Sequence, residues 1–241
     1  MTTVQNERVA THVEGLDELM GGGIPKGHVT VISGLPGTMK SSLAFSILHR
    51  NAGEGAPVGV YVTLEQTKAS LAHQMAGMGF EEPDTRVGIV DGASIRKDLR
   101  KDVPKVWREF LHRAFEIRRG VQEIDLLVLD SLEALEVLAQ FDNPRADLFG
   151  LFEWLRSLDL TSFILTEAPP ETLLFPGEAI HHFDASYLAD GVIHLKMHPV
   201  SDVAIQRRLR VVKMRGTAHE TGYLALVFED GTFGVTRAMS V

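Results

Sequence analysis

Apolar residues fall along this chain in two patterns, short β-branched runs and stretches with apolar side chains three or four positions apart. Val29 to Ile32 is the first run and predicts a buried strand. Leu43 to Leu48 follows as a helix that ends near Asn51-Ala52-Gly53. Pro57 to Leu64 predicts a second strand, and Thr67 then caps a helix on which Leu71, Met75 and Met78 recur at helical spacing. Arg86 to Val90 reads as a third strand and residues 91–103 as a polar connection. Asp102 caps a helix with Pro104 in its first turn and Trp107, Phe110, Leu111, Ala114 and Phe115 on one face. Ile124 to Leu129, the most apolar strand, ends at Asp130-Ser131. Asn143-Pro144 opens a helix bearing Leu148, Leu151, Phe152, Leu155 and Leu158, and Ser162 to Thr166 is a further strand. This alternation predicts an α/β fold, a parallel sheet covered by helices on both faces.

After Thr166 the pattern changes. Residues 167–187 hold prolines, a glycine and the pair His181-His182 without a period, which predicts a long loop. Adjacent histidines on an extended segment point to opposite sides, which argues against a shared metal. Gly191 to His198, Ala204 to Met214, Gly222 to Phe228 and Thr232 to Val235 read as strands of an antiparallel ribbon, turned at Pro199 to Asp202 and at Asp230-Gly231. At the other end, residues 1–11 read as loose. His12 to Met20 reads as a short helical turn setting an apolar lid before the first strand.

Composition narrows the picture without changing it. A chain of 241 residues suits one α/β domain, here 1–241. The formal charge of −8 disfavours indiscriminate adhesion to nucleic acid or anionic membrane. Zero cysteines exclude disulfides, thiolate nucleophiles and cysteine zinc sites. No apolar run approaches a membrane span, and no charged-then-apolar leader follows Met1, so a cytoplasmic protein is the expectation.

The chemistry centres on Gly34-Leu35-Pro36-Gly37-Thr38-Met39-Lys40-Ser41-Ser42. Strand, glycine-bearing turn, Lys-Ser and helix is the layout of a phosphate-binding loop. Backbone N–H groups must converge on phosphate, so the turn needs small residues, and the helix start adds donors and the positive end of its dipole. Lys40 is placed to reach the β- and γ-phosphates, and the Ser41 hydroxyl to ligate Mg²⁺. Met39 stands where G-x-x-x-x-G-K-[ST] has its second glycine, so a side chain there is expected to crowd the nucleotide and favour binding over fast turnover. Asp130, at a strand's carboxyl end, is the expected metal partner. Glu65, also at a strand end, is placed to polarise a water. Lys213 and Arg215 differ by two, so a strand puts both on one face, suited to an anion.

Together these residues resemble the KaiC-like branch of the RecA-type ATPases, from His12 to Val235. Gly15-Leu16-Asp17-Glu18-Leu19 with Gly22-Gly23-Ile24-Pro25 looks like that family's opening segment, and Gly37-Thr38-Met39-Lys40-Ser41 matches its G-T-G-K-[ST]. Thr63-Leu64-Glu65-Gln66 matches T-F-E-E, Leu129-Asp130-Ser131 the metal-binding strand end, and Lys213-Met214-Arg215-Gly216-Thr217 the K-x-R-G segment. The resemblance implies a RecA-like, mostly parallel sheet with C-terminal antiparallel strands. It implies ATP and Mg²⁺ on Gly34, Gly37, Thr38, Met39, Lys40, Ser41 and Ser42, with Glu65 activating water. It also implies a homo-oligomer, a hexameric ring, in which Lys213 and Arg215, with Thr217 and His219 nearby, reach the neighbouring subunit's nucleotide. Gln66 replaces the second glutamate of the motif, which points to slow or absent hydrolysis. Clock-type members carry two copies of the domain where this chain has one. Their autophosphorylated Ser-Thr pair corresponds to Ser186-Tyr187 before Asp190, making Ser186 the candidate phosphosite.

Three readings of function follow. The first is an ATP-dependent oligomeric switch acting on an unidentified protein partner. The second is a RadA-like DNA recombination accessory, for which residues 96–119 supply nine Lys/Arg against four Asp/Glu. The acidic chain and the lack of an aromatic-basic platform make nucleic acid the less favoured partner. The third is a sensor that holds ATP without hydrolysing it.

Overall fold

A computed structural model describes residues 7–52, 59–81, 87–93, 108–109, 111–112, 124–167 and 185–238. Strands β1 (Arg8–Val9) and β2 (Ile24–Pro25) form a small antiparallel pair. The main sheet holds β3 (Val29–Gly34), β4 (Gly59–Thr63), β5 (Gly88–Asp91), β6 (Leu126–Asp130), β7 (Thr161–Thr166), β8 (Gly191–Ser201), β9 (Ala204–Met214), β10 (Leu224–Glu229) and β11 (Thr232–Arg237). Its order is β11-β10-β9-β8-β3-β7-β6-β4-β5. From β5 across to β8 every pairing is parallel, and from β8 to β11 every pairing is antiparallel. β8 is therefore the joint between the two halves predicted from the pattern.

The helices are α1 (Lys40–Asn51), α2 (Lys68–Gly77), α3 (Leu132–Leu138) and α4 (Pro144–Ser157). Alternate residues of each central strand feed opposite faces. In β6, Leu126 and Val128 join one core with Leu43, Phe45 and Ile47 of α1, while Leu127 and Leu129 join the other with Leu148, Phe152 and Leu155 of α4. Two of the predicted helix starts are capped as expected: the Thr67 side chain accepts from Ser70 N at 3.2 Å, and Asn143 Oδ1 from Ala146 N at 3.3 Å, while Asp102 lies outside the described residues.

Several expectations need correction. The opening stretch is not loose from Arg8 onward. Arg8 donates to the carbonyls of Met20 and Gly23 and to Thr217 Oγ1, and Asp17 accepts from Thr11 N and Oγ1. A long polar side chain that finds three part-buried acceptors orders a segment whose composition alone argues for mobility. Within 12–20 only Glu18–Met20 is helical, as a 3-10 turn. α3 was absent from the sequence reading; its seven residues are too few to display a period, and Ser131 caps it by accepting from Ala134 N at 3.3 Å. The third strand runs one residue further than read, to Asp91, and β10 starts at Leu224. Of the 167–187 stretch, Ala185–Tyr187 is a 3-10 turn. His181-His182, most of the Asp102 helix and most of the basic 96–119 region lie outside the described residues. No described helix is long and apolar enough to cross a membrane.

Candidate functional site

β3 is flanked on both sides, by β7 and β8, so its end is held from two directions. Gly34 closes it with no room for a side chain. A Cβ there would lie 2.4 Å from the Leu195 carbonyl oxygen of β8 and 3.0 Å from Thr38 Oγ1. Residues 35–38 turn, with Thr38 Oγ1 donating to Leu35 O at 2.7 Å, and α1 begins at Lys40. The Lys40 ammonium folds back to Gly34 O at 2.6 Å and Leu35 O at 3.3 Å, closing the loop into a ring. Burial pushes the ammonium down from its ordinary value, against the pull of Glu167, Asp130, Glu133 and Glu65.

Met39 stands in the left-handed region at φ 74° and ψ 26°, a conformation that costs a non-glycine residue about 1–2 kcal/mol. The backbone thus keeps the geometry of the missing glycine. The side chain packs against the α1-side core and lines a cleft of about 720 Å³, with Met78, Phe228, Asp230 and Arg207 among its walls. It lies on the wall of a cavity large enough for a nucleoside.

At the strand ends beyond β7, Asp130 is buried and hydrogen-bonded by Ser41 and by the Tyr61 hydroxyl. Burial lifts Asp130 above the ordinary carboxylate range, while the bonds from Tyr61 and Ser41 hold it down against that rise. Burial and the Asp130 charge push Tyr61 well above its usual value, so it stays a donor. Ser41 and Asp130 together offer hard oxygen ligands of the kind that could hold Mg²⁺. Glu65 is exposed and accepts from the Ser131 hydroxyl, beside Asp130. Ser42 turns the other way, its hydroxyl 3.2 Å from Met78 Sδ.

One end of the sheet therefore gathers Gly34, Gly37, Thr38, Met39, Lys40, Ser41, Asp130 and Glu65. Lys213, Arg215, Thr217 and His219 lie at the other end. Register places them there: Gly34 pairs with Leu195 and Leu195 with Leu209, whereas Gly191 pairs with Thr30 and Met214. β9 stops at Met214, so Arg215 sits in the following turn and not on the strand. Lys213 Nζ donates to Tyr187 O at 3.2 Å and Ser186 O at 3.4 Å, and Arg215 Nη1 to Asp190 Oδ1 at 2.6 Å. Thr217 Oγ1 accepts from Arg8, His219 Nδ1 lies 3.1 Å from Thr217 O, and Ser186 is buried.

Sequence reasoning missed three participants. Tyr61 is hidden inside an apolar run, Arg207 donates from Nε to Gly37 O at 3.3 Å, and Arg156 grips Asp190 from α4. None has a motif to announce it, because each is brought in by packing across the sheet.

Tyr61→Phe separates the metal site from the loop. Without the phenol, Asp130 holds its proton to still higher pH. Mg²⁺-dependent nucleotide affinity should then fall several-fold at mildly acidic pH and little at alkaline pH, while metal-free affinity stays level, as calorimetry across pH reads. Stability runs the opposite way: a carboxylate with a raised folded pKa contributes most below its unfolded value and loses that contribution as pH climbs through the raised one.

Comparison with known proteins places the chain in a family. A UPF0273 protein from Methanopyrus kandleri is 30% identical over 226 residues, covering 88% of this chain and 85% of its own length. Circadian clock protein KaiC2 from Synechocystis is 29% identical over 96% of this chain, which spans only 40% of that longer protein. The crystal structure of KaiC-like protein PH0186 from Pyrococcus horikoshii superposes with a TM-score of 0.73 at 25% identity, covering 95% of this chain and 99% of that one. The family profile described as "ATPase: KaiC" matches residues 9–238, nearly the whole described structure, and this chain belongs to the KaiC ATPase family.

Proposed function

We propose that the protein binds Mg-ATP between copies of itself and uses the state of the γ-phosphate to set its assembly, and hence its contact with a protein partner. The phosphates lie on the loop from Gly34 to Ser42, and the base enters the cleft walled by Met39, Met78 and Phe228. Ser41 and Asp130 hold Mg²⁺, which when bound neutralises phosphate oxygens. Glu65 orients water for slow hydrolysis. Gly34 and Gly37 support the phosphate assignment: a Cβ at Gly34 would meet Leu195 O at 2.4 Å, and Gly37 stands at φ +82°, so the turn favours residues without a side chain.

The observation that carries the inter-subunit part is the separation of loop and cations. Leu209 is level with Gly34 and Met214 with Thr30, four residues apart along β3, about 13 Å. That span exceeds an arginine side chain, so Lys213 and Arg215 serve a nucleotide held by another copy. A subunit with its loop at one end and its cations at the other assembles head to tail, and such contacts close into rings, here of six. Light scattering with and without Mg-ATP tests this; a strict monomer under both conditions defeats it.

A sensor that holds ATP without turnover is the second reading, favoured by the Glu65 carboxylate accepting the Ser131 hydroxyl and by Gln66 beside it. Single-turnover assays with Glu65→Gln separate the two: a drop of about 100-fold in phosphate release marks Glu65 as the base, and equal, negligible release marks the sensor. Mass spectrometry of the same incubations covers self-phosphorylation at Ser186, whose burial requires the 185–187 turn to open first.

A further inference from the structure

Asp190 is a buried carboxylate held by two arginines and a backbone amide. Its Oδ2 accepts from Arg156 Nε at 3.0 Å and from Val29 N at 3.2 Å, and its Oδ1 from Arg215 Nη1 at 2.6 Å and Arg156 Nη2 at 3.2 Å. Its main chain repeats the ties, with Asp190 N donating to Val29 O at 2.8 Å and Arg215 N to Asp190 O at 2.9 Å. The side chain of Asp190 is 10% exposed, while that of Arg215 is 50% exposed. A buried carboxylate locked to the first residue of β3 thus holds an arginine whose outer half faces solvent. A guanidinium has five donors in a planar fork, and Asp190 takes only Nη1. Two guanidiniums share one carboxylate, which leaves a positive charge over. That surplus, on a half-exposed guanidinium, suits a second anion rather than a closed ion pair.

We propose that Asp190, backed by Arg156, is the positioning group that presents Arg215 to the nucleotide of a second copy of this chain. The inference rests on the inter-subunit reading above and adds to it the residues that make the cation ready before the partner arrives. Arg156 supplies the counter-charge that keeps Asp190 from drawing Arg215 inward. The bond to Val29 fixes the carboxylate to the strand whose other end carries the phosphate loop, so each subunit's donor and acceptor ends share one rigid element.

The test compares Asp190→Asn with Arg215→Ala and with the double variant. ADP affinity of Asp190→Asn is expected to stay within about 2-fold of wild type, because its own loop is intact, and this also reports folding. The Mg-ATP concentration needed for assembly is expected to rise about 10-fold, the loss of one oriented charge-assisted hydrogen bond. Arg215→Ala should match or exceed that shift, and the double variant should equal Arg215→Ala alone. Mixing Asp190→Asn with Lys40→Ala subunits gives a distinctive product. The first supplies a nucleotide and the second an oriented Arg215, so heterodimers should form where neither variant associates by itself.

Assembly of Asp190→Asn at wild-type concentrations, a double variant worse than Arg215→Ala, or a mixture that stays monomeric overturns the proposal. A wild type that fails to assemble with Mg-ATP removes the inter-subunit reading itself and this inference with it. If Asp190→Asn does not fold, Arg156→Lys keeps the charge and loses the two-point grip. An assembly shift of about 3-fold is then expected, and no shift counts against the proposal.

Discussion

Replacing Lys40 with alanine should lower nucleotide affinity by about 100-fold or more, beyond what one lost charge-assisted contact accounts for. The excess comes from what surrounds the ammonium. Glu167, Asp130, Glu133 and Glu65 all act on it electrostatically, and without it a polyphosphate would meet that group of carboxylates with no fixed cation between. The loop would also lose the tether from Nζ to Gly34 O and Leu35 O, so its amides would no longer be gathered in advance. Calorimetry with Mg-ATP and with ADP reads the effect, and the loss should be larger for the triphosphate. An affinity within about 5-fold of wild type would mean that the loop does not hold phosphate at all.

Gly34→Ala should be strongly destabilising. The added carbon meets the Leu195 carbonyl at 2.4 Å, and that oxygen belongs to the backbone of a strand paired on both sides, so no flexible side chain can give way. Relief requires β3 and β8 to part where the parallel and antiparallel halves join. We expect a loss of about 3 kcal/mol, or about 10 °C in Tm for a chain of this size. Gly77→Ala is the matched control: a Cβ there meets nothing within 4 Å, and an alanine in a helix gains roughly 0.5–1 kcal/mol over glycine. Calorimetric scans of the two variants should move in opposite directions. A Tm fall under about 3 °C for Gly34→Ala would show that the strands can separate without loss.

Much of the architecture was legible because the central strands are buried on both faces. Leu126 to Leu129 has to be continuously apolar when alternate residues enter opposite cores, and that run is visible without any knowledge of its neighbours. The loop was legible for a related reason, since a backbone-lined phosphate cradle demands small residues before a Lys-Ser pair. α3 was not, because seven residues span too few turns to show a period. The order of Arg8 to Val9 was not either, since it depends on carbonyls of Met20 and Gly23 that no local rule connects to Arg8.

Met39 shows where the two levels divide. The sequence predicts a side chain that crowds the nucleotide. The structure keeps the left-handed backbone of a glycine and sends the thioether to the wall of the base-sized cleft.

By itself, then, the sequence determined the fold class, the glycine-bearing turn before Lys40, Asp130 and Glu65 near strand ends, and a basic pair near the C-terminus, since each is a matter of local composition and spacing. Only the tertiary structure decided that Tyr61 donates to Asp130, that Arg156 and Asp190 hold Arg215, and that the basic pair lies about 13 Å along the sheet from the level of its own loop. Those facts follow from which strands pair and in what register, and register is set by the burial of both faces at once, a property of the assembled sheet that no single segment carries.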